Sequence, residues 1–304
     1  MPSASPVIVV LGTGGTIAGT AASPTDATGY RAAQLGVRTL VDAVPALAGR
    51  PLEALQVAQV DSKDMGPAVW RELAHEAARQ LARPEVQGVV VTHGTDTLEE
   101  TACFLHRVLA PAKPLVLTAA MRPATSLQAD GPQNLLDAVT LAGEPGARGV
   151  MAVLAGRVFA AEGLRKVDAW RLDAFEGFEL ARLENGRVRT LAPWPEGVAL
   201  GLEAVAPPPE QWPRVAWITS HAGFDGALVH AVLAAGYDGL VVAGTGNGTL
   251  HHELEDALDR ARAAGLAVRL TTRCASGRLV DGPPDQPVGP AQARVALMLE
   301  LLAG

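Results

Sequence analysis

Cysteine is scarce in this chain. Two residues in 304, Cys103 and Cys274, are too few for a disulfide framework and make no metal-ligating set. Both lie among apolar or small residues, a context that favours buried, unreactive thiols. Basic clusters are missing, and the net charge is −7, so nucleic acid and anionic membranes are excluded as expected partners. No apolar run reaches the ~18 residues that a membrane-crossing helix needs. The opening "MPSASPVIVVLG" lacks the basic start and long apolar stretch of an export signal, so the expected location is the cytoplasm. Several catalytic signatures are also absent. There is no P-loop, no H-E-x-x-H and no G-x-S-x-G elbow. No metal set is evident, and no cofactor is expected.

What is present is an alternation of short Val-rich runs with longer helical ones. "VIVVLG" (7–12), a run within 52–62, "VQGVVVTHG" (86–94), "KPLVLTAA" (113–120) and "RGVMAVLAG" (148–156) read as strands buried on both faces. Helices are expected over 36–47, 66–82, 96–110 and 130–143. In the second, Val69, Leu73, Ala77 and Leu81 mark an amphipathic face. Such units imply a parallel sheet flanked by helices. Residues 156–200 are richer in charge and aromatics and continue no clear alternation. "AVAPPPEQWP" (204–213) is the best linker candidate, because three prolines in a row fit neither helix nor central strand. Strands at 214–220, 239–246 and 266–272 then alternate with helices near 224–235 and 249–264, and a last helix closes the chain. The expected fold is α/β in two domains. The larger, 1–200, carries the catalytic loops; 201–213 links it to a smaller α/β domain at 214–304.

Three loops that follow strands carry candidate chemistry. "GTGGTIAG" (12–19) fails the dinucleotide fingerprint, since Ile17 stands where the third glycine is required. It reads either as a tight turn or as a turn presenting a hydroxyl. "VTHGTDTLEETA" (91–102) also leaves a strand and opens a helix. Helix capping by Asp96 or Thr97, with Glu99 or Glu100 three residues on, accounts for part of it. "QVDSKDMG" (59–66) offers Ser62, Lys63 and Asp64, equally consistent with a solvated turn. In parallel α/β folds, loops at the C-terminal strand ends meet at the ligand site. Among the histidines, His93 suits a satisfied polar residue at a strand end, and the pair His251–His252 suits a solvated face.

The first two of these loops together resemble the signatures of the L-asparaginase family, the threonine amidohydrolases. "AMRPATSLQADGPQNLLDAV" (120–139) and "GYDGLVVAGTGNGTL" (236–250) resemble further family blocks, so the likeness runs through nearly the whole chain. The resemblance implies a flavodoxin-like N-terminal domain and a smaller C-terminal one. It implies a cofactor-free enzyme that converts L-asparagine and water to L-aspartate and ammonia, with L-glutamine as a minor substrate. It further implies a homodimer or homotetramer with the site near a subunit interface. By this resemblance Thr16 is the nucleophile that forms an acyl-enzyme, and Tyr30, on a loop that closes over substrate, assists its proton transfer. Thr95 and Lys166 activate water or relay a proton. Asp96 binds the substrate ammonium and Ser62 its carboxylate. The Thr95 N–H and the segment at Ala120 supply the oxyanion hole. Residue types alone leave open which threonine attacks first.

The sequence also departs from the family pattern. Lys63 stands where secreted-type members commonly carry glutamine, and it either adds a positive charge near the expected carboxylate site or points into solvent. Thr249 stands where many have asparagine. The segment 271–295 is shorter than in secreted-type members, and Asp281 is out of register with the family's acidic residue. "RCASG" is closer to cytoplasmic-type members. Two other readings share some of these residues: a sensor of asparagine or aspartate whose catalysis has decayed, and the ammonia-releasing subunit of a tRNA-dependent amidotransferase.

Overall fold

A computed structural model describes residues 6–26, 28–280, 282 and 289–304. The chain divides into two compact units, Met1–Leu202 and Glu203–Gly304. No helix among the described residues is long and apolar enough to cross a membrane.

In the first unit, β1 (Val7–Gly14), β2 (Leu52–Val60), β3 (Val86–Thr92), β4 (Pro114–Thr118) and β5 (Gly149–Leu154) form a parallel sheet in the order 2-1-3-4-5. Their central residues, including Val9, Val10, Val89, Val90, Leu115 and Val116, are completely buried. That burial explains why these runs are continuous rather than alternating. Helices α1 (Val37–Asp42) and α4 (Gly131–Ala142) share one core with Val10, Val90 and Val116. Helices α2 (Pro67–Leu81) and α3 (Leu98–Leu109) pack together against the sheet, where Trp70 stacks on Phe104 with ring centroids 5.2 Å apart. The strand order reverses at β1, which pairs with β2 on one side and β3 on the other. A crevice for ligand is expected outside the C-terminal ends of β1 and β3.

The sheet is not wholly parallel. β6 (Arg157–Ala160), β9 (Glu179–Glu184) and β10 (Arg187–Thr190) extend it antiparallel beyond β5, giving eight strands. Two tight hairpins build this extension. Ala155–Gly156 and Asn185–Gly186 have φ of 49° and 73°, and 54° and 72°, as a type I′ turn requires. Between them, β7 (Arg165–Lys166) and β8 (Phe175–Glu176) make a separate two-residue ladder.

Three sequence expectations change. Residues 36–47 are not one helix: Pro45 starts a separate 3₁₀ turn, and Val44 before it is extended. The buried face of α2 is Trp70, Leu73, Ala74 and Ala77, with Val69 and Leu81 at its margins. Four residues advance about 40° beyond one turn, so a strict four-residue spacing walks off the core. Cys103 is buried and its thiol is pushed up to about 11 by burial, but Cys274 is exposed in the loop after β13 (Ala267–Thr272).

In the second unit, β11 (Val215–Thr219), β12 (Gly239–Gly244) and β13 form a parallel sheet in that order. Helices α5 (Ala227–Ala234) and α6 (His252–Ala263) share a core with Leu240 and Val242, and α7 (Pro290–Ala303) packs along the strands. His251 caps α6, its Nδ1 accepting from the Glu253 N–H at 3.3 Å.

Candidate active site

Three strand-end loops meet at the reversal point of the larger unit. The turn after β1 passes through Gly15, whose φ of 80° only glycine adopts freely. A Cβ on Gly15 would lie 2.4 Å from the Gly94 Cα, and one on Gly94 would lie 2.3 Å from the Ser62 Oγ. The loops after β1 and β3 therefore pack backbone against backbone, and the Ser62 side chain of the loop after β2 closes on Gly94. The residues next to these contacts are Thr16 and Thr95, which are 8% and 5% exposed, and Ser62 is 2% exposed.

Thr16 opens a 3₁₀ turn, and its Oγ1 lies 2.7 Å from the Tyr30 hydroxyl. The segment carrying Tyr30 is closed by reciprocal N–H···O=C bonds between Thr20 and Arg31, both 2.9 Å. The second set centres on Lys166. Its ammonium donates to Thr95 Oγ1 at 2.9 Å and to Asp96 Oδ1 at 2.6 Å. Ser62 joins this set, since its Oγ accepts from the Asp96 N–H at 3.2 Å and its carbonyl accepts from Thr97 Oγ1 at 2.8 Å. Thr97 occupies the N-cap position of α3 as expected, but neither it nor Asp96 makes a side-chain cap bond. Their side chains are taken by Lys166 and by the Ser62 carbonyl. Among the described residues no acceptor takes the Thr95 N–H.

Lys63 is turned onto its neighbours, with Nζ 2.8 Å from Asp61 and 3.0 Å from Asp64. Those carboxylates hold its ammonium well above the ordinary lysine range. Ala120 is fully buried after β4, where it and Ile17 both border Gly131. In the smaller unit, Thr249 pairs with Thr245 through main-chain and hydroxyl bonds. Asp281 lies outside the described residues.

Two groups behind the loops, His93 and the half-buried Glu99, were not given catalytic roles from the sequence. His93 is completely buried, with Nδ1 2.7 Å from the Gly94 carbonyl and Nε2 2.9 Å from Thr101 Oγ1, which also accepts from Trp70 Nε1 at 2.8 Å. Burial pushes its pKa down to about 4, against the pull of the Gly94 carbonyl. Glu99, in the first turn of α3, accepts from the Lys166 main-chain N–H at 2.7 Å. Burial pushes its carboxyl up to about 7, opposed by that N–H and by Arg165 and Lys166. Nothing in the sequence distinguished it from Glu100 as a second acidic residue at a helix start.

A family model described as "Asparaginase, N-terminal" matches residues 7–194, and one described as "Glutaminase/Asparaginase C-terminal domain" matches 214–303. The chain belongs to the asparaginase family. It is thus an amidohydrolase. Relatives include "L-asparaginase 2" of Bacillus subtilis, 34% identical over 97% of this chain and 82% of the relative. "Probable L-asparaginase periplasmic" of Haemophilus influenzae is 33% identical over 97% and 88%. The crystal structure of a probable cytoplasmic L-asparaginase from Campylobacter jejuni superposes with a TM-score of 0.88 at 33% identity, covering 98% of this chain and 95% of that one. Both halves of the α/β architecture therefore belong to one family fold.

Proposed function

We propose that this chain hydrolyses L-asparagine to L-aspartate and ammonia through a threonine acyl-enzyme. The observation that carries the reading is the meeting of two differently equipped hydroxyls at the sheet's reversal point: Thr16 with Tyr30, and Thr95 with Lys166. In this reading the Thr16 Oγ1 attacks the side-chain amide carbon and its proton leaves through Tyr30. The proton relayed by Tyr30 is delivered to the amide nitrogen, the C–N bond breaks, and ammonia departs, leaving a β-aspartyl ester on Thr16. Water held at the Thr95–Lys166 pair then attacks the ester carbon; the bond from that carbon to the Thr16 Oγ1 breaks and the water's proton passes to this oxygen, which restores the Thr16 hydroxyl and releases aspartate.

The assignment of the first attack rests on hydrogen bonding. The Thr95 oxygen already accepts from an ammonium, which withdraws density from its lone pairs and makes it the poorer nucleophile. The Thr95 N–H is available to the tetrahedral oxyanion, an interaction worth about 3–4 kcal/mol in such sites, and the Ala120 segment is the second expected donor. Asp96 uses one oxygen for Lys166 and is half exposed, so its other oxygen can receive the substrate ammonium. Ser62 accepts from the Asp96 N–H and keeps its own hydroxyl proton to donate to the α-carboxylate. L-Glutamine is a minor substrate in this scheme. A homodimer or homotetramer and a cytoplasmic location complete the reading.

Ammonia release from L-asparagine and L-glutamine, measured separately from micromolar to millimolar, tests it. Release from asparagine that Thr16→Ala reduces by about 10³-fold or more supports the assignment. Folded wild-type protein that binds asparagine without releasing ammonia would instead make it a sensor.

A further inference from the structure

Lys166 sits on a hairpin with few bonds of its own: beyond its short ladder, the Val167 and Asp168 N–H groups donate to the Ala174 carbonyl at 2.8 and 3.3 Å. Its ladder, β7 with β8, is two residues long on each side, far short of what supports an isolated hairpin. The hairpin is also tied from outside. Arg122 donates to the Trp170 carbonyl at 2.9 Å, with its guanidinium 4.2 Å from the Trp170 ring centroid. Arg157 donates to the Phe175 carbonyl at 3.3 Å. The third tie acts on Lys166 itself, where Glu99 Oε2 accepts from the main-chain N–H at 2.7 Å.

Glu99 lies three residues after Asp96 and four after Thr95, at the start of α3. One helix start therefore grips the lysine at both ends: Glu99 holds the main chain, and Thr95 and Asp96 hold the ammonium. A lysine stem has four rotatable carbons, and an ammonium alone fixes its position poorly. Anchoring the Cα end removes that freedom before substrate arrives. We propose that Glu99 is a positioning residue for the amide hydrolysis, fixing the Lys166 main chain so that the ammonium stays on Thr95. The inference rests on the reading of Thr95 and Lys166 given above. A second observation supports it. The carboxyl is largely buried, and burial opposes its charge; Arg165 and Lys166 from β7 face it favourably and Glu100 from α3 unfavourably. Retaining a carboxylate there is costly unless its acceptor is used.

The test compares Glu99→Ala, Glu99→Gln and Glu99→Asp with wild type at pH 8, for steady-state ammonia release and for hydrogen exchange of the Lys166 amide by mass spectrometry. The alanine variant is expected to lower kcat about tenfold or more with KM within threefold, and to speed Lys166 exchange at least tenfold. Glutamine keeps the acceptor and is expected to regain at least a third of wild-type kcat. Aspartate keeps the charge but falls one methylene short, and is expected to behave like alanine. Wild-type kcat in the alanine variant, or unchanged Lys166 exchange, overturns the proposal. If the alanine variant fails to fold, wild-type kcat and exchange in the aspartate variant overturn it equally. A wild-type protein that released no ammonia would overturn the functional reading, while the exchange data would still decide whether Glu99 holds Lys166.

Discussion

Replacing Glu99 by glutamine should change how stability depends on pH, by an amount the structure sets. Burial raises this carboxyl from its ordinary 4.5 to about 7, with the Lys166 N–H and Arg165 opposing. The folded state therefore holds the proton more tightly than the unfolded chain. Such a group favours folding fully below 4.5, and that contribution is lost as pH rises through about 7. At about 1.4 kcal/mol per tenfold change in the proton equilibrium, the ceiling is about 3 kcal/mol, most of it lost between about pH 5 and 8. Glutamine has the same shape and accepts the same N–H, but it does not titrate. The melting temperature of Glu99→Gln relative to wild type should thus rise between pH 5 and pH 8. For a folding unit near 200 residues, each kcal/mol is worth about 2–4 °C, so the relative gain is about 5–10 °C. The assay is thermal unfolding of both proteins at half-unit pH steps, following the transition of the larger unit. His93, Asp130 and Asp137 also have displaced pKa values, but they are common to both proteins and cancel in the difference. A gap constant to within about 2 °C over that range would refute the reasoning, because it would mean Glu99 ionises alike in both states.

Other predictions address the loops. Gly94→Ala forces a methyl to 2.3 Å from the Ser62 Oγ; it should destabilise by about 1–3 kcal/mol and raise KM, and wild-type melting and kinetics would contradict the packing described. Lys63→Ala leaves Asp61 and Asp64 uncompensated beside Ser62. KM for asparagine should rise severalfold at low ionic strength, with the effect shrinking in about 0.5 M salt; a salt-independent change would reject this electrostatic account. His93 should be a neutral Nδ1–H tautomer, since its Nδ1 faces a carbonyl and Thr101 can donate to Nε2. Nitrogen NMR should show no titration of its ring above about pH 5; a midpoint near 6.5 would place it in water rather than in the buried chain from Trp70.

Much of the larger unit was legible because its pattern is simple. Val-rich runs such as 7–12 and 86–92 are continuous since helices cover both faces of the sheet, and periodicity reports that directly. The antiparallel extension was less visible. Its strands are short, charged and half exposed, and the Ala155–Gly156 and Asn185–Gly186 turns that define it are two-residue signals inside a polar stretch. Capping was read from residue type at Asp96 and Thr97, but partners far away in sequence, Lys166 and Ser62, took both side chains.

The sequence by itself determined the family, the α/β order and the identity of the two threonine loops. The family follows from the resemblance of those loops, the α/β order from runs that must be buried, and the tight loop turns from glycines that reach backbone conformations other residues avoid. The tertiary structure alone decided which charged groups face one another. Glu99 was matched to Lys166 across 67 residues of sequence, and Lys63 was matched to its own neighbours instead of an open site. The physical reason is that hydrogen bonds and burial act on distances in space. A carboxylate in the first turn of a helix looks the same in sequence whether it meets water or the main chain of a lysine.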